Sequence, residues 1–357
     1  MTTITTPTLL VDESKCRANI ERMLAKATSS EATLRPHFKT HHSAHIAGWF
    51  REMGVSQCTV SSVSMGHYFA DHGWEDITIA FPYNLRESES VSELAGKTSL
   101  NILLESEESL EHARKNIENS LGYFIKVDVG TYRTGVDPRN RSLIQTLVDA
   151  SSEKLQFKGF LAHAGHTYGA KGEKNIRWLF EGVKKMLLPL REEFGGIITY
   201  GDTPSCSTLQ DLSMFDEIRA GNFVFYDWMQ KEIGSCQVED IAVCLAAPVV
   251  SRHPEREEIV VMGGGVHLSK DSVGEGNNKT YGKVVKLTED GWNTEVIGNV
   301  SRLSQEHGII QLYKKWYNEV RVGDLIGIIP VHSCLAADLQ GYYLSTHGQR
   351  IEKIVKN

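Results

Sequence analysis

Eight short apolar runs alternate with helical patterns along the first 235 residues, and this alternation narrows the folds open to the chain. The runs lie at 33–39, 57–62, 76–82, 99–105, 123–129, 157–164, 197–202 and 217–224. Most are followed by apolar residues at helical spacing, such as Ile46, Ala47, Trp49 and Phe50 within 43–53. The clearest helix, at 175–194, carries Trp178, Leu179, Val183, Met186 and Leu187. Strands separated by helices pair in parallel, because the helix serves as the crossover. Eight such units predict an α/β chain with a closed (β/α)8 barrel, and an open doubly wound sheet is the competing arrangement. A barrel carries its chemistry at the C-terminal ends of its strands. Lys39, Ser61, Ser62, Arg133, the stretch 163–168, the stretch 203–205, Gly221 and Asn222 all fall at such ends.

Beyond residue 235 the helical spacing fades and short β-rich runs replace it, at 241–250, 258–262, 283–287, 294–303, 308–312 and 324–331. Turns at 263–265, 289–291 and 322–324 separate them. The expected division is therefore a barrel over 12–235 and an all-β domain over 236–357. Ahead of the barrel, an extended segment at 7–11 leads to Asp12, which can cap a helix bearing Cys16, Ile20, Met23, Leu24 and Ala27. The polar, glycine-containing tract 270–279 reads as a mobile loop.

Bulk properties exclude several classes. A net charge of -7 with no basic stripe argues against binding a phosphate backbone, so no nucleic-acid partner is expected. The longest apolar run, 241–250, is about half a membrane span and contains a proline, and the first residues lack a signal-peptide pattern. A cytoplasmic protein with no membrane partner is expected. Six cysteines without a C-x-x-C pair do not form a disulfide framework in a chain of this size.

Five stretches can carry chemistry. In Arg35-Pro36-His37-Phe38-Lys39-Thr40-His41-His42, strand geometry puts His37, Lys39 and His41 on one face, so Lys39 is either a surface cation or an amine held in a pocket. Asp128-Val129-Gly130-Thr131-Tyr132-Arg133-Thr134-Gly135 places a carboxylate and a guanidinium around a glycine turn; they form an ordinary loop ion pair, or Arg133 is aimed into the barrel mouth. In His163-Ala164-Gly165-His166-Thr167-Tyr168, an imidazole can stack on a planar ligand while Tyr168 supplies one hydrogen bond; equally, the histidines can be satisfied by carbonyls. Gly201-Asp202-Thr203-Pro204-Ser205 opens a helix, offering hydroxyls and amides as an anion seat to which Gly221 and Asn222 can add N–H groups. Because these follow the seventh and eighth strands, where barrels hold phosphate, a phosphorylated cofactor is expected. Finally, His332-Ser333-Cys334 ends an apolar strand, and an imidazole and thiolate two residues apart can grip one ion, favouring zinc; alone, the pair is a weak signal and reads more readily as a capped histidine and a buried thiol.

Taken together and in this order, with Tyr226-Asp227 and Glu306-His307-Gly308, these motifs resemble the metal-dependent D-serine dehydratase and D-threonine aldolase family, alanine racemase-like enzymes of fold type III. The resemblance spans nearly the whole chain. It implies a barrel that binds pyridoxal 5'-phosphate, a C-terminal β domain that takes in the N-terminal strand 1–11, and a homodimer. Lys39 would form the Schiff base and take the α-proton. Arg133 would face the phenolic oxygen, His163 would stack on the ring, and Tyr168 would hydrogen-bond in the pocket. Thr203, Ser205, Gly221 and Asn222 would hold the phosphate, and His332 and Cys334 would bind Zn2+ beside a β-hydroxyl. The implied activity is dehydration of D-serine or a related β-hydroxy-D-amino acid to a keto acid and ammonia. The alternatives are an aldolase giving glycine and an aldehyde, or an amino acid racemase. His-x-Cys rather than His-x-Asp favours dehydration, and a racemase would have no use for the metal pair.

Overall fold

The computed structural model of the protein describes residues 4–355. The chain separates into two compact units: one of Glu21–Lys39 and Ala47–Gly221, the other of the segments up to Ile20, Thr40–Ile46 and from Asn222 onward.

The first unit is the barrel. Its strands are Thr33–Leu34, Gln57–Val60, Asp76–Pro82, Ser99–Leu104, Leu121–Lys126, Leu155–Ala162, Ile197–Tyr200 and Glu217–Ile218, one for each of the eight expected runs. Each pairs in parallel with its sequence neighbour, and the last pairs with the first through Thr33 and Glu217. A parallel bridge between His37 and Thr59 closes the ring. The closed sheet decides between the two predicted arrangements in favour of the barrel. Apolar side chains fill it, with Leu103, Phe124 and Leu161 packed against Ala80 and Ile197.

The first strand is much shorter than the run 33–39. Pro36 has no N–H for the ladder; its carbonyl accepts from the Thr59 N–H at 2.9 Å. The chain then tightens into a 3-10 turn, Phe38–Thr40. Lys39 therefore sits on a turn, and the period-two relation expected for His37, Lys39 and His41 does not hold. Phe38 anchors this turn, its ring centroid 5.4, 4.9 and 4.8 Å from Phe50, Phe69 and Trp74. Arg35 runs the other way, toward the N-terminal ends of the strands. Its guanidinium donates to Asp76 at 2.6 and 3.0 Å and to Glu217 at 2.8 Å.

The second unit carries a nine-stranded sheet. Six of its strands close on themselves in the order Val243–His253, Glu258–Met262, His307–Leu312, Gly291–Leu303, Gly282–Thr288 and Leu325–Pro330. Thr8–Val11 pairs antiparallel with Val243–His253 and parallel with Tyr342–Ser345, which in turn pairs with Arg350–Glu352. These last two strands escape a sequence reading because they are short and rich in tyrosine and charge. The tract expected to be a mobile loop is tied by a bridge: Val273 and Thr280 exchange backbone hydrogen bonds of 3.1 and 2.9 Å. Among the described residues, no helix is long and apolar enough to cross a membrane.

Candidate active site

In the barrel unit the chemistry gathers at the strand C-termini, as the fold demands. Lys39 is exposed between buried neighbours Phe38 and Thr40. His37 and His41 turn out to serve the local backbone: His37 Nδ1 accepts the Lys39 N–H at 3.4 Å, and His41 Nδ1 accepts the Ser43 N–H at 3.1 Å.

His163 follows the strand Leu155–Ala162, and its Nδ1 is hydrogen-bonded to the Gly201 carbonyl. Burial, then the charge of Lys39, push this imidazole down to about 3, so it is neutral at ordinary pH. A neutral ring that donates from Nδ1 leaves Nε2 as an acceptor. Gly201 can approach because it has no side chain; a Cβ there would lie 2.7 Å from the Arg219 backbone. The Tyr168 ring lies 6.3 Å from His163, on the 3-10 turn Gly165–Gly169.

The Asp128 loop is built differently from the ion pair considered for it. One carboxylate oxygen of Asp128 accepts the N–H groups of Gly130, Thr131 and Tyr132 at 3.0, 2.9 and 3.1 Å. Thr131 Oγ1 donates to the His163 carbonyl at 3.1 Å, joining the two loops. Gly135 is required, since φ is +114 and a Cβ would sit 2.6 Å from the Asp128 nitrogen. Arg133 projects from this loop, exposed, and its charge reaches the buried Lys126.

Two cations missed by sequence reasoning lie beneath these loops. Lys126 ends its strand 6% exposed and donates to the Val127 carbonyl at 3.0 Å. Burial, reinforced by Arg219 and Arg133, lowers it to about 8. Arg219 is buried against neutral acceptors, with Nε 2.7 Å from Thr199 Oγ1 and a terminal nitrogen 2.7 Å from the Ala162 carbonyl. Desolvation lowers it to about 10. A lysine or arginine at the end of a strand-like run was the available signal, but a single sequence does not separate an inward cation from an outward one.

The expected anion seat is the helix Thr203–Thr208. Asp202 caps it, accepting the Ser205 N–H at 2.7 Å and the Thr167 hydroxyl at 2.8 Å. The Ser205 amide is thereby engaged, and its hydroxyl pairs with Tyr200 at 3.2 Å. Thr203 Oγ1 is buried without a hydrogen-bond partner, an open position for an acceptor such as a phosphate oxygen. Gly221 precedes Asn222, which opens a 3-10 turn in the second unit. The Asn222 side-chain amide donates to Asp227 at 2.6 Å and Ser333 at 3.0 Å and lies 3.5 Å from Cys334. Its Oδ1 is buried and unpartnered.

His332 and Cys334 are not on a strand. The strand ends at Pro330, His332 takes the N-cap position and Cys334 falls in the first turn of the helix Ser333–Asp338. The N-cap and the first helical turn nevertheless keep the two residues at one helix start. Burial would lower His332, but hydrogen bonds to Asp271 and Cys334 prevail and raise it to about 11. Burial would raise Cys334, yet the bond to His332 brings the thiol below its ordinary value. Thr40 Oγ1 lies 3.3 Å from Cys334 Sγ, and Thr40 is the residue after Lys39. Cys334 is half-buried, whereas the other five cysteines are buried. Among the described residues no three histidine, cysteine or acidic side chains cluster as a metal site, so two protein donors are available.

Residues 11–227 match the model for the alanine racemase N-terminal domain, and residues 242–346 match that for a putative serine dehydratase domain. The chain is 30% identical over 375 residues to the D-serine dehydratase of Dictyostelium discoideum, covering 95% of this chain and 93% of that one. It is 25% identical over 356 residues to the D-threo-3-hydroxyaspartate dehydratase of Delftia sp. (strain HT23), covering 93% and 91%. Among solved structures, an alanine racemase-like protein from Idiomarina loihiensis superposes with a TM-score of 0.88 at 26% identity, covering 99% and 98%. Whole-length similarity and the shared barrel make this chain a lyase and a member of the D-serine dehydratase and D-threonine aldolase family, on the alanine racemase-like fold.

Proposed function

We propose that this lyase is a pyridoxal 5'-phosphate- and zinc-dependent dehydratase of D-serine or a related β-hydroxy-D-amino acid, releasing a keto acid and ammonia. The observation that carries the reading is the His332–Cys334 pair, an imidazole at the N-cap and a half-buried thiol in the first turn of one helix, with no third protein donor clustered beside them among the described residues. Such a donor set suits zinc and leaves coordination positions open to a substrate hydroxyl. The relatives named for dehydration point the same way.

When bound, the cofactor supplies the electron sink for the charge left at Cα. Lys39 would be its covalent anchor, and Lys39 Nζ would be the base that takes the α-proton. His163 stays neutral, so it can stack on the ring without adding positive charge near Lys39. Arg133 is assigned to the phenolic oxygen and Tyr168 to a pocket hydrogen bond. Thr203, Ser205, Gly221 and Asn222 are assigned to the phosphate, with the unpartnered Thr203 hydroxyl the best fitted among the side chains. Zinc held by His332 and Cys334 would polarise the β-hydroxyl so that it leaves without free hydroxide forming. A homodimer in the cytoplasm is the expected assembly and compartment.

The test is incubation with D-serine, D-threonine and D-3-hydroxyaspartate, each with and without chelator, measuring keto acid, glycine and the L-isomer separately. Keto acid formation that stops with chelator is expected. Glycine as the main product would make the protein an aldolase, and keto acid formed regardless of chelator would remove zinc from the mechanism.

A further inference from the structure

The hydrogen bond of 2.6 Å between Asp271 Oδ2 and His332 Nδ1 joins residues 61 positions apart, and no part of the proposed function uses it. Asp271 is held from both sides. Its own N–H donates to Ser269 Oγ at 3.2 Å, and the Val273–Thr280 bridge closes the tract just beyond it. Gly274 permits that closure, since a Cβ there would lie 2.4 Å from the Asn278 carbonyl oxygen. The preceding turn is tied in turn to the helix that carries Cys334, through Gln340 Nε2 donating to the His267 carbonyl at 3.1 Å.

The two imidazole nitrogens point to opposite edges of the ring. With Nδ1 engaged by a carboxylate, Nε2 is the nitrogen left for a metal beside Cys334. A carboxylate on the Nδ1 edge cannot reach a metal on the Nε2 edge, so Asp271 is not a third ligand. It can set which nitrogen bears the proton and hold the ring plane, as outer carboxylates do for metal-bound histidines. We propose that Asp271 is the positioning residue of the metal centre: by accepting the Nδ1 proton of His332 it keeps the tautomer whose Nε2 lone pair joins Cys334 Sγ on a zinc ion. The inference rests on the reading of His332 and Cys334 as the zinc pair.

The test uses the full chain with its cofactor retained and its metal stripped, measuring zinc affinity by competition with a chromophoric chelator. Asp271→Ala is expected to weaken zinc binding by about 10- to 100-fold, and Asp271→Asn by less, because an amide oxygen still accepts the Nδ1 proton. In a His332→Ala background, Asp271→Ala is expected to add nothing, which a merely structural role would not produce. Should Asp271→Ala fail to fold, Asp271→Ser, too short to reach the ring, reads the same quantity. Affinity within about twofold of wild type, or equal weakening with and without His332, would overturn the assignment. Absence of zinc binding in the wild type would instead overturn the metal pair itself, and this inference with it.

Discussion

Lys39 is legible in the sequence as a strand-end lysine, but its turn and exposure are not. Because Phe38 packs against three aromatic neighbours, the backbone beside Lys39 is fixed while the Lys39 residue itself is exposed. Lys39→Ala is expected to abolish both turnover and the visible absorbance of lysine-bound cofactor; an active, absorbing variant would remove Lys39 from both roles. His163 makes a pH prediction. Its folded value of about 3 lies below the usual 6.5, so between these the unfolded chain binds a proton that the folded one refuses. The contribution is present in full above about pH 6.5 and is lost as pH falls toward 3. The unfolding free energy of the wild type relative to His163→Gln should therefore drop by on the order of 3 kcal/mol from about pH 7 to about pH 4, measured by urea titration. A difference independent of pH would show that the ring titrates normally.

At the scale of elements, the first barrel strand illustrates how one short segment serves two ends. Thr33–Leu34 pairs for two residues only, after which Arg35 secures the N-terminal end through Asp76 and Glu217 while the 3-10 turn presents Lys39 at the other. Glu217 is buried, so removing its cation leaves an uncompensated charge. Arg35→Met is expected to destabilise the barrel by about 3–5 kcal/mol. Denaturant unfolding would report the loss, and the folded fraction should retain its turnover per active molecule, because the change lies at the end away from the chemistry. The Asp128 loop depends on backbone rather than charge: three N–H groups converge on one carboxylate oxygen. Asp128→Ala is expected to loosen the loop that joins Thr131 to His163 and to lower cofactor affinity, checked by equilibrium dialysis; Asp128→Asn, which keeps an acceptor oxygen, should restore most of it.

For the whole molecule, the N-terminal strand is an interior member of the nine-stranded sheet, with a partner on each side. Deleting residues through Val11 would expose the edges of Val243–His253 and Tyr342–Ser345 at once. Insoluble or aggregated protein is expected, scored by sedimentation of the soluble fraction; a soluble, cooperatively unfolding truncation would show that the sheet tolerates the gap. The sheet order brings together segments from both ends of the chain, which no local pattern announces.

The sequence by itself determined the alternation that makes a barrel, the β-rich second part, and the motifs proposed as a lysine anchor, an anion seat and a His-x-Cys pair. These are local signals, written in periodicity and in the chemistry of neighbouring residues. Tertiary structure decided what depends on distant residues or on burial: the turn under Lys39, the inward course of Lys126 and Arg219, and the 2.6 Å contact of Asp271 with His332. A charged side chain has the same formula whether it faces water or a carbonyl. Only packing takes it out of solvent, and only closure of the sheet sets one partner beside another.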